Sequence, residues 1–353
     1  MLDFFKQYQL QNETVAVGVS GGADSLALVL RLKECGIKIV ALTVDHKLRP
    51  SSSKEAEFVA NLMKKYDIEH HILIWEGEKP KRGIEAEARK ARYDLLSKWC
   101  KKNDIKYLAV GHHRRDQAET FLLRLQRGSG LFGLCGMADI VKQNDIYIIR
   151  PQLNDSPDYL RKYLSEKNIV WVEDESNQCD DFLRVKIRKF LPELESKTGI
   201  SEKRLADTAR ILRFTRDYLE FEVNKIINNQ VRKWSETVFS FSLVNLENLH
   251  SEISYRLLAE LLRKCGAKDY APEAEEIFRL MKVIKKDDFK GCTLNGCEIL
   301  KAQKRIWVIP EVRDEFLLAK AEWENFVRVT PQYAKAGLPY KVRRALYCEV
   351  KKV

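Results

Sequence analysis

Short apolar runs alternate with longer amphipathic stretches through the first half of the chain. TVAVGVS, IKIVALTVD, EHHILIW, IKYLAVGH and IYIIRPQL are brief and dense in Val and Ile, as strands buried on both faces are. Between them the pattern predicts helices over about 24–35, 53–66, 85–102, 115–126 and 156–168. Strict alternation of strand and helix predicts an α/β domain: a mostly parallel, Rossmann-like sheet covered by helices on both faces. In such sheets ligands sit beyond the carboxyl ends of the strands. Those ends here carry Ser20 to Ser25, Asp45-His46 and Gly111-His112-His113.

After residue 195 the pattern changes. From Ser201, a plausible N-cap, Leu205, Ala209, Leu212, Leu219, Val223 and Ile226 recur near helical spacing and predict one long helix. Helices follow at about 252–265 and 272–285. GCTLNGCEILKAQKRIWVIPE then reads as two short strands around KAQK, and the stretch from 312 to 353 is mixed in signal. The expected organisation is a first domain over 1–195, a linker helix with a smaller helical and α+β domain over 196–311, and a short extension over 312–353.

The formal net charge of +11 favours an acidic partner, and nucleic acid is the commonest one. The eight cysteines are scattered without a Cys-x-x-Cys pair, which disfavours a zinc ribbon or a paired-thiol redox site. The start, MLDFFKQYQL, lacks a basic region leading into a long apolar run, and no stretch approaches the roughly 18 apolar residues of a membrane span. A cytoplasmic protein without a membrane partner is expected.

Between the first strand and helix lies Ser20-Gly21-Gly22-Ala23-Asp24-Ser25. Two glycines let successive N–H groups form a concave nest for an anion, two serines add hydroxyl donors, and the following helix offers its positive N-terminus. Asp24 is at odds with a bound phosphate unless a cation such as Mg²⁺ bridges the two. The loop lacks the lysine that reaches the far phosphates of ATP, so it suits attack at the α-phosphate with pyrophosphate leaving. A Gly-Gly turn with two capping serines is the competing reading. The full string matches the pyrophosphatase-loop (PP-loop) signature, S-G-G-x-D-S, of N-type ATP pyrophosphatases.

Three further blocks narrow the choice: VDHKLRPSSSKEAEFV, GHHRRDQAETFLLRLQRGSGLFGLCGM, and RPQL with WVEDESNQCDDFLRVKIRKFLPEL. With the loop, and in this order and spacing, they resemble the tRNA(Ile)-lysidine synthetases; TLNGCEI is similar to that family's C-terminal region. The resemblance implies a ligase that adenylates C2–O of the wobble cytidine of tRNA(Ile) with a CAU anticodon. Free L-lysine then attacks C2 and expels AMP. ATP is thus a substrate, with Mg²⁺, and the region 196–311 is expected to recognise tRNA. A homodimer is compatible with the chain.

By the same resemblance, Ser20, Gly21, Gly22, Ala23, Asp24, Ser25, His46, Gly111 and His112 are expected around ATP, with Asp24 also on Mg²⁺. Asp116 and Glu119, at i and i+3 on one helix face, are expected to hold lysine, whose cationic amine paired carboxylates suit. An acidic face balanced by Arg114, Arg115 and Arg124 is the bland alternative. Arg92 and Arg184 match family arginines at the active site, where a fixed guanidinium can neutralise a crowded phosphate. Arg184, Lys186, Arg188, Lys189, Lys203, Arg204 and Arg210 form the expected RNA-binding set, against the reading of an ordinary charged helix face.

The chain departs from the family pattern at Arg115, Asp45, Val185 and Lys186, where Asp, Asn, Asn and Arg are common. Three rivals share the loop: a tRNA-thiolating enzyme, which calls for cysteine ligands or a cysteine pair; an amidotransferase-type small-molecule synthetase, which needs an ammonia-supplying domain or partner; and a catalytically inactive RNA-binding homologue.

Overall fold

A computed structural model describes residues 1–48, 52–77, 83–173, 183–268, 271–312, 316–334 and 337–351. Parts of the second and fourth sequence blocks, at 49–51 and 174–182, lie outside the described residues, as does Cys179. Two compact units divide the chain, Met1–Arg216 and Asp217–Val353. The division falls inside one helix, where the pattern alone had suggested 195/196.

The first unit opens with α1 (Leu2–Gln7), β1 (Val15–Gly18), α2 (Ala23–Glu34), β2 (Ile39–Asp45), α3 (Ser52–Lys65) and β3 (His70–Ile74). It continues with α4 (Ile84–Lys102), β4 (Tyr107–Ala109), α5 (Arg114–Gln126), α6 (Leu131–Leu134), β5 (Ile140–Gln143) and β6 (Ile146–Ile149). Then come α7 (Pro157–Glu166), α8 (Leu183–Thr198) and α9 (Glu202–Gln230). The six strands run in the order β3-β2-β1-β4-β6-β5, parallel throughout except where β5 pairs antiparallel with β6.

Period-two alternation sorts the strand residues between the two faces. Val15, Val17, Ala41, Ala109 and Ile149 pack with α1, α2 and α7, while Ala16, Val40, Leu42, Leu108 and Ile148 pack with α4. Both faces are therefore covered, as apolar β1 (VAVG) and β2 (IVALTVD) require. A separate cluster of Ala118, Phe121, Leu191, Leu205 and Ala209 joins α5, α8 and α9. That cluster sets α8 across the start of α5, where the acidic pair lies.

In the second unit β7 (Arg232–Lys233), β8 (Phe239–Ser242), β9 (Gly291–Leu294), β10 (Cys297–Ala302) and β11 (Arg305–Pro310) form a five-stranded antiparallel sheet. Its order is β7-β8-β11-β10-β9. The expectation of two short strands around KAQK is corrected here. Asn295-Gly296 (φ 58° and 75°) and Gln303-Lys304 (φ 55° and 59°) make two tight hairpin turns and cut the stretch into three strands. Helices α10 (Leu243–Glu247), α11 (Ser251–Cys265) and α12 (Ala274–Val283) complete the order before β9. Leu257, Leu261 and Ile277 pack with Phe241, Ile299 and Val308. The mixed stretch beyond 312 holds α13 (Lys320–Val329) and α14 (Tyr340–Lys351), whose Phe326, Val342 and Leu346 pack with Leu300 and Trp307. No described helix is long and apolar enough to cross a membrane.

Candidate active site

The loop between β1 and α2 is organised by its own serines. Ser25 Oγ accepts from Ser20 N at 3.1 Å, lies 3.2 Å from Ser20 Oγ and donates to Gly22 O at 3.0 Å. Gly21 has φ +86°, a conformation that side chains resist, and Gly22 is the N-cap of α2. Ala23, Asp24 and Ser25 form the first turn of that helix, so the free N–H groups of α2 face the loop. Gly111, just past β4, lies against this turn: a Cβ there would meet Asp24 C and Ser25 N at 3.1 Å. Buried Gln152 donates to Asp24 O at 2.8 Å and pins the same turn from β6's side.

Asp24 Oδ1 is buried without a hydrogen-bond partner, while Oδ2 lies 3.4 Å from His113 Nε2. A buried, unpartnered carboxylate oxygen in the first turn of α2 suits a hard cation with oxygen ligands, and Mg²⁺ bound by one carboxylate, phosphate and water fits that donor set.

His113 lies at one of the strand ends named from the sequence but stands outside the expected set of site residues. Its ring caps α5 by accepting from Asp116 N at 3.4 Å, and the backbone N–H of His113 donates to Asp116 Oδ2 at 3.0 Å. The ring therefore stands between Asp24 and Asp116. Burial opposes its charge, but the hydrogen bond to Asp24 and the fields of Asp116, Asp24 and Glu119 outweigh that and raise its pKa. The signal was present as a residue three before Asp116 at a helix start, although His is an unusual cap.

Asp116 and Glu119 do share one face of α5, and arginines of α8 meet them there. Arg184 Nε donates to Glu119 Oε2 at 2.6 Å and its Nη2 to Asp116 Oδ1 at 3.2 Å; Arg188 Nε donates to Glu119 Oε1 at 2.7 Å. Glu119 is 0% exposed, and its two oxygens are held by two guanidiniums. Arg188, expected on RNA, is thus turned inward, and its pKa is raised because Glu119 overcomes the effect of burial. Burial also works against the charge of Asp116, yet His113 and Arg184 hold its carboxyl below the usual range.

His112 is neutral: burial, with Arg150, Arg89 and Arg184 adding to it, pushes its pKa down to about 3. Arg150 Nε donates to its Nδ1 at 3.3 Å. His46 follows β2 and meets Trp75 edge-on at 5.7 Å between centroids. Its neighbour Asp45 is a structural residue, accepting from Lys47 N, Ser52 Oγ and Ser53 Oγ at 2.7–2.9 Å. Arg92 lies on α4 with its guanidinium 5.5 Å from the Tyr93 ring centroid. Lys186 and Lys189 are exposed on α8, and Lys203, Arg204 and Arg210 on α9, where Arg210 meets Asp207 at 3.2 Å. Arg115 pairs with Glu202 at the start of α9, and Arg213 is buried on the carbonyls of Cys135 and Met137.

A PP-loop domain model matches residues 1–194. The chain is 36% identical over 337 residues to a tRNA(Ile)-lysidine synthase of Wolbachia sp. subsp. Brugia malayi (strain TRS), covering 92% of this chain and 78% of that one. Its counterpart from Ruegeria pomeroyi is 33% identical over 296 residues, covering 83% and 70%. Among solved structures, the U34-tRNA thiolase NcsA from Methanococcus maripaludis aligns with a TM-score of 0.51 at 18% identity, over 60% of this chain and 77% of that one, a likeness of fold alone. With a PP-loop domain over more than half its length and such relatives across most of it, the chain belongs to the tRNA(Ile)-lysidine synthase family.

Proposed function

We propose that the protein ligates free L-lysine to C2 of the wobble cytidine of tRNA(Ile) with a CAU anticodon, in two steps driven by ATP. The observation that carries this reading is His113, which sets the ATP loop and the acidic pair side by side through Asp24 and Asp116, each at 3.4 Å. One place activates an oxygen and the adjoining place holds an amine.

In the first step the cytidine C2 oxygen attacks the α-phosphorus and pyrophosphate leaves. The Ser20–Ser25 loop and the N-terminus of α2 hold the phosphates by N–H and hydroxyl donation. Mg²⁺ held by Asp24 would neutralise phosphate charge there. In the second step the lysine side-chain amine attacks C2, the C2–O bond breaks, and AMP departs with the oxygen. The product carries lysine less one water.

Lysine's ammonium groups compete for carboxylates that Arg184 and Arg188 now hold. Asp116, its carboxyl held low by His113, anchors the ammonium charge. Neutral His112 donates a hydrogen bond from Nε2 once Nδ1 is taken by Arg150.

The test is a mass measurement of nucleosides from a tRNA(Ile) transcript incubated with protein, ATP and lysine. The expected result is a cytidine heavier by one lysine less water, dependent on all three substrates. An unmodified cytidine overturns the reading, a sulfur-containing one points to thiolation, and pyrophosphate release without RNA points to a small-molecule synthetase.

A further inference from the structure

A cavity of about 280 Å³ lies between α4 and the β5–β6 edge of the sheet, and cations dominate its lining. Arg89 and Lys90 line its exposed side, Arg150 (8% exposed) and Tyr93 its buried side, and Asp94 is the one carboxylate on its wall. Asp94 is engaged elsewhere, accepting from Asn144 at 3.3 Å.

The arginines around this space have neutral partners. Arg150 donates to Ala138 O at 2.7 Å and to His112 Nδ1 at 3.3 Å. Arg89 and Arg92 lie 5.2 and 5.5 Å from the centroid of the Tyr93 ring. Among the described residues no carboxylate forms an ion pair with Arg89, Lys90, Arg92 or Arg150. Burial first, then the charge of Arg89, works against protonation of Arg92 and Arg150 and lowers both pKa values, with Tyr93 opposing. Buried guanidiniums gathered with no ion-pair partner, with only the fields of Tyr93 and Asp139 favouring the charge of Arg150, are costly unless an anion completes them.

We propose that this cavity receives a phosphodiester of the single-stranded RNA whose base is modified, gripped by Arg89, Lys90 and Arg150. The inference rests on the RNA-modifying reading above and adds a binding site to it. Three features select a polymer phosphate. The volume sits just below the roughly 300–1,000 Å³ of pockets that enclose a whole small molecule. The open side carries two long cationic side chains, so a chain can lie across it with one phosphate inside. The floor residue Arg150 touches His112, one residue from Gly111 and the loop, so a gripped phosphate lies beside the chemistry. ATP has its own donors in the loop.

The experiment measures binding of a fluorescent anticodon stem-loop RNA to the full chain across a salt series, for wild type and for R89A/K90A. Both residues are exposed, and a matched Tm verifies that the variant folds. The log–log salt slope is expected to shrink by about 0.7–1, one phosphate contact, with affinity about tenfold weaker at 0.15 M salt. An unchanged slope overturns the proposal. So does intact RNA binding with weakened ATP binding, which assigns the cavity to the nucleotide, or with a raised lysine KM, which assigns it to the amino acid's carboxylate. If wild type binds RNA with the expected difference but makes no lysidine, the ligase reading falls and the phosphate site stands; if wild type binds no RNA, both fall.

Discussion

Glu119 shows how much one buried charge can organise. A carboxylate with no solvent exposure needs compensation on each oxygen, and Arg184 and Arg188 supply it. Substituting Arg188 with Ala leaves one oxygen facing only a void while Arg184 keeps the other. Chemical denaturation should report a loss of about 1.5–3 kcal/mol, the worth of a hydrogen bond to a charged group. Adding E119Q should recover part of that loss, and a double variant no more stable than R188A alone would contradict this account. His70 makes a second prediction, on pH. Thr43 Oγ1 donates to Val19 O at 2.8 Å, so at its 2.8 Å contact with His70 Nε2 the ring is the donor. Burial, with the neighbouring His71, lowers the His70 pKa from 6.5 to about 4. A folded value below the unfolded one means the neutral ring stabilises fully above pH 6.5, and this contribution is lost as pH falls toward 4. His70→Gln should flatten that acid limb in Tm measurements between pH 7 and 4 and leave the alkaline side unchanged.

At the scale of elements, the crossing of β4 with the start of α2 governs the loop. Gly111 permits it, since any Cβ would press on backbone that cannot swing aside. Gly111→Ala should cost about 1–3 kcal/mol by overpacking and weaken ATP binding about tenfold as the oriented donors shift. Calorimetric titration with ATP analogue alone is the check, and unaltered affinity would detach Gly111 from the nucleotide site. These elements were legible because β1, β2 and α2 combine dense apolar runs with a glycine-rich break. The short β5, with Lys142 and Gln143 in its four residues and a tight turn at Asn144-Asp145 (φ 50° and 64°), offered neither length nor alternation. The Asn295-Gly296 hairpin was readable from turn chemistry and was passed over. Arg188 lay beyond reach, because its placement depends on α8 packing across α5 through Leu191, Ala118 and Phe121, contacts more than sixty residues apart in sequence.

For the whole molecule the governing quantity is the excess of cations and how they divide between inward and outward work. Of the basic residues expected on RNA, Arg184 and Arg188 compensate buried acids, and Arg213 on α9 binds backbone carbonyls, so these three add little to a long-range field. Lys203, Arg204 and Arg210 remain exposed along the first turns of α9, and Arg210 has a partial counter-charge in Asp207. If this outward set meets phosphates, each contact contributes about 0.7–0.9 to the dependence of log affinity on log salt. The triple variant K203A/R204A/R210A should therefore flatten the slope for tRNA binding by about 2, with Arg210 contributing least because Asp207 already occupies it. ATP binding without RNA should stay at the wild-type value, since these side chains leave the loop of residues 20–25 untouched. A slope equal to wild type would make this helix face a solvated surface and shift the RNA footprint to other cations.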